Sequence, residues 1–301
     1  MSYIPKVLLT KLIRIFLLFL GCVPRKWTIH LAGLIGRIWF LADERHRKVA
    51  LDNLNHAFGN EKSDLQIKEL AQQVFQNIAL LPFEIGWSFR LNGDDILRYC
   101  KVQGLSHLNA ARKKGKGVLF FSAHIGNWEF LSVAFALAGH PVNGIYRPLD
   151  FKPADTVVYD YRTRFGAQLI PKKHSIPKAL RCLRKNECVG MMLDQDAGFA
   201  AGVFADFFGR PACTNKALAL LALKTEAPVI PAFVTRNGLN FYMEFGKEIP
   251  LVKTGERDKD IVANTQQYNA IIEAFVRRYP EQWFWVHRRW KNQPAQQSSP
   301  A

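Results

Sequence analysis

The sequence predicts an α/β fold in which a mixed, largely parallel sheet is flanked by helices. From about residue 101 onward, short apolar runs alternate with segments of helical periodicity, a pattern typical of buried strands with helices on both faces. Before that point, apolar residues recur at helical spacing. Of the 301 residues, 49% are hydrophobic and 22% are charged, which supplies a sizeable core and argues against a disordered chain.

We expect four segments along the chain. Residues 1–24 form a membrane anchor or interfacial helix, and residues 25–100 form a helical lead-in. Residues 101–291 form the α/β core. Residues 292–301 are polar, contain two prolines and form a frayed tail.

The elements of the core follow from the alternation of apolar and amphipathic stretches. The predicted strands are 118–122, 142–146, 168–170, 189–193, 229–234 and 240–245. The predicted helices are 127–138, 153–165, 175–185, 215–225 and 258–278. Strands that are apolar along their whole length indicate a sheet covered on both faces.

The N-terminus combines basic and apolar residues. The uncharged stretch 15–23 is too short to cross a bilayer, which takes ~20 apolar residues, but Lys6, Lys11 and Arg14 precede it within one helical segment. Two interpretations remain: an interfacial or shallowly inserted anchor, and a tilted span with its basic end in the cytoplasm. The alternative is an amphipathic helix packed on the domain. A second apolar stretch, 29–42, is interpreted as a packed helix.

The chain is strongly basic, with a formal net charge of +16. Such a charge attracts nucleic acid, anionic membrane surfaces or acidic carrier proteins, and composition alone does not choose among them. The five cysteines are scattered without a CxxC pair, which favours a reducing compartment and argues against zinc. We therefore expect no metal.

The first candidate for chemistry is a histidine that follows a predicted buried strand. Ser122, Ala123 and His124 follow the apolar run 118–121, and Glu129 comes five positions after the histidine. A strand ending here would place the imidazole at the carboxyl edge of the sheet, where open α/β sheets bind ligands. Glu129 could hold one ring nitrogen and leave the other to take a proton from a hydroxyl. The alternative is a structural histidine beside a glutamate that favours the helix dipole.

Two arginines are candidates for binding an anion. Arg147 follows a predicted strand, and Arg164 lies near the end of a predicted helix. A guanidinium binds phosphate or carboxylate through its planar fork of donors. The alternatives are a surface arginine in a turn at Pro148 and a solvated helix end near Gly166.

Two acids follow another predicted strand. Asp194 and Asp196, separated by Gln195, could bind a metal, orient an arginine or form a turn. We favour a structural or substrate-orienting role, because two acids around a glutamine make a weak Mg²⁺ site.

Two aromatic segments complete the set of candidates. The turn Phe207-Phe208-Gly209 could line an acyl-chain groove or belong to the core. Residues 281–291 interleave aromatic and cationic side chains, which suits a membrane interface, an anionic headgroup or nucleic acid. The alternative for 281–291 is a partly buried aromatic helix or strand with a solvated basic face.

Five motifs occur together in one order: His124-Ile-Gly-Asn-Trp-Glu129, Tyr146-Arg-Pro148, Asp194-Gln-Asp196, Phe207-Phe-Gly209 and Trp285-Val-His-Arg-Arg289. With this ordered set the chain resembles, over nearly its whole length, the bacterial late acyltransferases of lipid A biosynthesis, the lauroyl/myristoyl type. That family belongs to the wider glycerophosphate acyltransferase-like group with an HxxxxD/E motif. One departure is 213–216, where we expect smaller residues opening the helix.

The resemblance implies a membrane-bound enzyme on the cytoplasmic face of the bacterial inner membrane. Such an enzyme moves a fatty acyl chain from acyl carrier protein to a hydroxyl of a lipid A precursor, and needs no cofactor. By the family pattern His124 is the general base and Glu129 its partner. The residues expected to bind substrate are Asn127, Arg147, Arg164, Asp194 and Asp196.

The implied partners match the basic charge. They are an acidic acyl carrier protein, an anionic glycolipid acceptor and the lipid surface of the inner membrane. Other members of the group acylate other glycolipids, so another glycolipid or a lysophospholipid is the alternative acceptor. The alternative class is a basic nucleic-acid-binding protein. We expect no nucleic-acid partner, because no binding module is recognisable and an apolar N-terminus is out of place there.

Overall fold

The computed structural model describes residues 5–294. Within them, nine strands span Cys100–Gln103 (β1), Val118–Ser122 (β2), Val142–Tyr146 (β3), Gln168–Pro171 (β4), Cys188–Met192 (β5), Gly202–Phe207 (β6), Arg210–Asn215 (β7), Val229–Asn237 (β8) and Asn240–Phe245 (β9). Residues 1–4 of the expected anchor and 295–301 of the expected tail lie outside the described residues.

The same residues form eleven α-helices, which span Lys6–Leu20 (α1), Arg25–Ala42 (α2), Glu44–Phe58 (α3), Asp64–Phe89 (α4), Gly93–Leu97 (α5), Leu105–Arg112 (α6), Leu131–Leu137 (α7), Lys152–Thr163 (α8), Ser175–Arg184 (α9), Ala217–Thr225 (α10) and Arg257–Arg278 (α11). Two short 3-10 turns cover Trp128–Phe130 and Pro280–Gln282. A capping box of Ser63 and Gln66 opens the longest of these helices, α4.

Seven strands form one sheet in the order β1-β9-β8-β2-β5-β3-β4, and β6 and β7 form a separate hairpin. Within the seven-stranded sheet, β8 and β9 pair antiparallel and the other neighbours pair parallel. The predicted fold class, a mixed and largely parallel sheet flanked by helices, is therefore confirmed.

The central strand β2 separates two hydrophobic layers. Leu119 and Phe121 face a core shared with α9, α10 and α11, whereas Val118 and Phe120 face a core shared with α6, α7 and α8. All five residues of β2 are buried, because both faces of the sheet are covered. The Phe120 ring packs directly on Gly190 of the neighbouring strand β5. A Cβ at position 190 would lie 1.8 Å from this ring, so the packing requires glycine.

Three strands were not predicted. β1 is a four-residue edge strand with alternating burial, too short to stand out in the sequence. The hairpin β6–β7 turns at Phe208 and Gly209, which both have positive φ (54° and 72°), the conformation of a tight hairpin turn. A phenylalanine in that position gives no turn signal, so the two strands were missed.

The aromatic segment 281–291 is neither a helix nor a strand, in contrast to the structural alternative considered for it. It is mainly irregular chain after a 3-10 turn, with one bridge between Trp283 and Ile125. Trp283, Trp285 and Trp290 are all buried and belong to the core shared with α9, α10 and α11. The segment therefore packs its indoles inside the protein.

The N-terminal helices carry exposed apolar side chains. None of the residues of α1 is buried, and Phe16 and Phe19 are more than half exposed (58% and 68%). One side of α2 packs against α4, where Gly36 allows close backbone approach, while Leu34 and Ile38 on α2 face outward. Within residues 5–294 no single helix has the length and hydropathy of a membrane span. Together α1 and α2 reach both, but the chain bends by 116° between them.

Candidate active site

The candidate site begins where β2 and β5 end side by side. In the parallel register Ser122 pairs with Met192, so His124 and Asp194 each lie two residues beyond the last pair. Nδ1 of His124 lies 2.8 Å from Oδ1 of Asp194, and the backbone N–H of His124 donates to Oδ2 at 2.8 Å. Sheet register therefore brings together two residues that are 70 positions apart.

The Asp194 carboxylate is buried and ionised. The indole of Trp283 donates to Oδ2 at 2.8 Å, which makes a third hydrogen bond to this group. Burial by itself raises the pKa of Asp194, but the charge of His124 and these hydrogen bonds outweigh it and hold the pKa below its ordinary value. A carboxylate only accepts hydrogen bonds, so Nδ1 of His124 carries a proton.

The second ring nitrogen of His124 is left available. Nε2 has no hydrogen-bond partner among the described residues, and the side chain is 20% exposed. Because Nδ1 holds the proton in the neutral ring, Nε2 presents a lone pair. The arrangement can take a proton from a group that approaches this edge of the sheet.

Glu129 does not hold the His124 ring, which corrects the expected pairing. Its carboxylate binds Arg162 of α8 through two hydrogen bonds of 2.7 Å and accepts a third from the indole of Trp128 at 3.0 Å. The physical reason is that Arg162 offers this carboxylate two charge-assisted hydrogen bonds, while Asp194 already occupies Nδ1 of the ring.

The Glu129–Arg162 pair still bears on the histidine. Burial raises the pKa of Glu129, but the charge and hydrogen bonds of Arg162, together with the charge of His124, lower it below its ordinary value. Glu129 is thus an anion near the imidazole without contacting it through a hydrogen bond. Arg162 was not among the predicted site residues. It lies two positions before Arg164, so the two side chains point to different sides, and Arg162 contacts Glu129.

Asn127 is a structural residue in this geometry, not one that is open to substrate. It is fully buried, its Oδ1 accepts from Phe130 N–H and its amide donates to Glu84 at 2.9 Å. Glu84 also pairs with Arg236 at 2.6 Å. These contacts join α4, β8 and the turn after His124, so they hold that turn in place.

The two arginines predicted to bind an anion lie in different surroundings. Arg147 is exposed at the end of β3, where its guanidinium donates to both oxygens of Asp150 at 2.9 and 3.0 Å. Arg164 stacks on Phe165, 4.4 Å from the ring centroid, and donates to Leu91 O. Burial lowers the pKa of Arg164. The structure therefore places Arg147 at the carboxyl edge of the sheet, whereas Arg164 packs against an aromatic ring.

Asp196 fixes a turn. It accepts from Gly198 N–H, and its own N–H donates to Nε2 of His287 at 3.1 Å. It also accepts from the backbone and side chain of Asn292. A turn was one of the roles considered for the two acids, and these contacts leave Asp196 little freedom to bind a substrate directly as expected from the resemblance.

Aromatic rings surround the histidine. The ring centroid of Trp128 lies 5.3 Å from that of His124, and Phe284 lies 6.1 Å away; Trp128 and Phe284 also contact each other. In contrast, Phe207 and Phe208, considered as groove residues, are buried in the core. Trp128 and Phe284 are the aromatic surfaces that an apolar chain would meet at His124.

Asp194 was the partner that sequence reasoning did not assign to His124. The available signal was positional: both residues come shortly after the end of a predicted strand. Strands that are parallel neighbours bring such residues together, but the neighbours of a strand are not visible in the sequence. Among the described residues there is no group of three or more histidine, cysteine or acidic side chains that could bind a metal.

The chain matches known proteins over almost all of its length. A family model described as bacterial lipid A biosynthesis acyltransferase matches residues 2–292. A lipid A biosynthesis acyltransferase from Haemophilus influenzae is 28% identical over 273 residues, which cover 90% of this chain and 84% of the relative.

Two relatives from Escherichia coli carry more specific names. A lipid A biosynthesis palmitoleoyltransferase is 26% identical, with 85% of this chain and 82% of the relative covered. A lipid A biosynthesis lauroyltransferase is 24% identical, with 86% of this chain and 84% of the relative covered.

Proposed function

The chain belongs to the bacterial lipid A biosynthesis acyltransferase family, and from that premise we propose that it esterifies a hydroxyl of a lipid A precursor with a fatty acyl chain. The proposed donor is acyl carrier protein. One observation carries the proposal: His124 is held through Nδ1 by buried Asp194 and keeps Nε2 available at the carboxyl edge of the sheet.

The proposed reaction is direct transfer. Nε2 of His124 removes the proton of the acceptor hydroxyl, and the hydroxyl oxygen bonds to the carbonyl carbon of the thioester. The carbon–sulfur bond then breaks, and the imidazolium returns the proton to the leaving thiolate. A thioester is already activated, so the reaction needs no serine or cysteine nucleophile.

We assign to Asp194 the role of carboxylate partner of His124, which the sequence analysis had assigned to Glu129. As an ionised partner it fixes the tautomer of His124 and stabilises the imidazolium formed during the reaction. Glu129 adds negative charge near the ring and holds Arg162 and Trp128 in place. The proposed pair is therefore His124 and Asp194, supported by Glu129.

Arg147 is the proposed contact for an anionic group of the substrate. It lies at the carboxyl end of β3, on the same edge as His124, and its exposed pair with Asp150 is weak enough to exchange for a phosphate. A phosphate of the lipid acceptor or of the donor's prosthetic arm has the chemistry that this guanidinium binds.

Attachment to the inner leaflet of the bacterial inner membrane is also part of the proposal. The outward sides of α1 and α2 expose large apolar side chains, an arrangement that suits helices lying in a bilayer interface. The bend of 116° between them favours lying in the interface over a straight span. The net charge of +16 favours an anionic leaflet.

The experiment is transfer by the purified protein in detergent. Acyl carrier proteins loaded with chains of different length are mixed with a lipid A precursor, and products are identified by mass spectrometry. One added acyl mass, linked as an ester, is the expected result. Acylation only of a lysophospholipid or another glycolipid would overturn the proposed acceptor, and transfer only from a donor without the carrier would overturn the proposed donor.

A further inference from the structure

The segment that follows β4 carries several cations and no acidic side chain of its own. Residues 172–185, here called the basic segment, contain six lysines and arginines and no aspartate or glutamate. All six are exposed, and none of them is in an ion pair with a described residue. They are Lys172, Lys173, Lys178, Arg181, Arg184 and Lys185.

The apolar side of the basic segment is already covered. In α9, Ala179 and Leu183 are buried, and Ile176 and Leu180 pack partly buried against the same core. No large apolar side chain of residues 172–185 is exposed. Insertion into a bilayer requires a free apolar face. α9 has none, and the large side chains that it exposes to solvent are cationic.

The basic segment begins on the edge of the sheet that carries His124. Lys172 directly follows β4, and its N–H donates to Tyr146 O at 2.7 Å, next to Arg147. β2 and β4 are separated by three strand spacings, about 14 Å at ~4.8 Å each. A thioester on a flexible prosthetic arm can be offered to His124 while its carrier rests on the segment.

The basic segment and the exposed N-terminal helix pack mainly against different elements. α9 packs against α10 and the strands β3, β4 and β5, whereas α1 packs against α4 and α8. A partner on α9 and a lipid surface on α1 therefore use separate parts of the molecule. This separation favours a soluble acidic partner over the membrane as the occupant.

We infer that the basic segment is the docking surface for the acidic carrier protein that delivers the acyl thioester. This inference rests on the proposed function and adds the place where the donor binds. Complementary charges across such an interface speed association and orient the partner. The carrier sits on Lys172, Lys173 and Lys178, the cations of the basic segment that follow the carboxyl end of β4 most closely in sequence.

The test is charge reversal at those three lysines. In the Lys172→Glu/Lys173→Glu/Lys178→Glu variant, the new carboxylates lie before α9 or in its first half, where they suit the helix dipole, so the fold is retained. We expect KM for the acyl carrier protein donor to rise by about tenfold or more, with kcat within about twofold. Transfer from an acyl-pantetheine donor, which lacks the carrier, is the second readout and stays at the wild-type rate.

The control variant reverses three exposed lysines away from this edge, Lys48, Lys68 and Lys247. It should keep KM near the wild-type value, and raising the salt concentration should weaken donor binding in the wild type more than in the Lys172/Lys173/Lys178 variant.

Three results would overturn the inference: equal KM in the two triple variants, equal loss of transfer from both donors, or loss of binding to anionic vesicles with unchanged donor KM. The last result would assign the segment to the membrane. A wild-type protein that uses no carrier-bound donor would instead overturn the proposed function.

Discussion

Asp194 Oδ1 lies 2.8 Å from Nδ1 of His124, at equivalent positions beyond two neighbouring parallel strands. The register of β2 and β5 fixes this relationship, because the ladder aligns Ser122 with Met192. A second contact from the His124 backbone to the same carboxylate prevents the two groups from drifting apart. The histidine is therefore oriented by the core of the sheet and not by the helix that follows it.

Removal of the charge of Asp194 should disable the site while leaving its shape intact. In Asp194→Asn an amide replaces the carboxylate, so the ring can adopt the wrong tautomer and its positive form is no longer stabilised. We expect kcat for acyl transfer to fall by ~10³-fold or more. Asp52→Asn, at an exposed position on α3, is the matched control. A rate near wild type in Asp194→Asn would remove Asp194 from the mechanism.

Glu129 and Arg162 should behave as a coupled pair. Removing either partner leaves a largely buried charge alone, since their side chains are only 11% and 23% exposed. We expect Glu129→Gln and Arg162→Gln each to lower the free energy of unfolding by about 3 kcal/mol, and the double variant to lose clearly less than the sum. Additive losses in denaturant titrations would contradict the coupling.

The same pair gives a dependence of stability on acid. The folded-state pKa of Glu129 is lowered from an ordinary 4.5. The ionised carboxylate therefore contributes fully to the free energy of unfolding above pH 4.5. This contribution is lost as the pH falls through the folded-state pKa. The stability difference between wild type and Glu129→Gln should therefore shrink below pH 4.5.

Substitution of Arg147 should change substrate binding, whereas substitution of Arg164 should change stability. Arg147→Ala removes an exposed cation at the catalytic edge, so KM for the phosphorylated acceptor should rise by about tenfold with little change in kcat. Arg164→Ala removes a side chain stacked on Phe165 and should lower the melting temperature instead. Steady-state kinetics and thermal unfolding test both. An unchanged KM in Arg147→Ala would exclude its proposed contact.

The apolar surface of α1 should control membrane binding. In Ile15→Gln/Phe16→Gln/Phe19→Gln, three side chains that are more than half exposed lose their apolar character. We expect the partition coefficient into anionic vesicles to fall by ~100-fold or more. The control is Leu65→Gln on α4, at an equally exposed apolar position. Cosedimentation that matches wild type would contradict the interfacial role of α1.

Much of the fold could be predicted because local sequence determines it. All six predicted strands are present, since unbroken apolar runs such as β2 are characteristic of a sheet covered on both faces. The hairpin β6–β7 escaped prediction because a phenylalanine stands at a turn position with positive φ. Here tertiary packing of Phe208 in the core outweighs its local preference.

The candidate site was only half predictable. His124 was identified because it follows a buried strand, but its partner depends on which strand lies beside β2. Glu129 is close in sequence, but its carboxylate pairs with Arg162 instead. Asp194 is distant in sequence and is aligned by register alone. Spacing along the chain does not encode that choice.

The most direct test of the proposed role of His124 is the rate of acyl transfer by the purified His124→Ala variant with acyl carrier protein as donor. The imidazole is the proposed proton acceptor, so the rate should fall by ~100-fold or more while the unfolding temperature stays close to that of the wild type. Transfer at the wild-type rate by a folded His124→Ala protein would contradict the account.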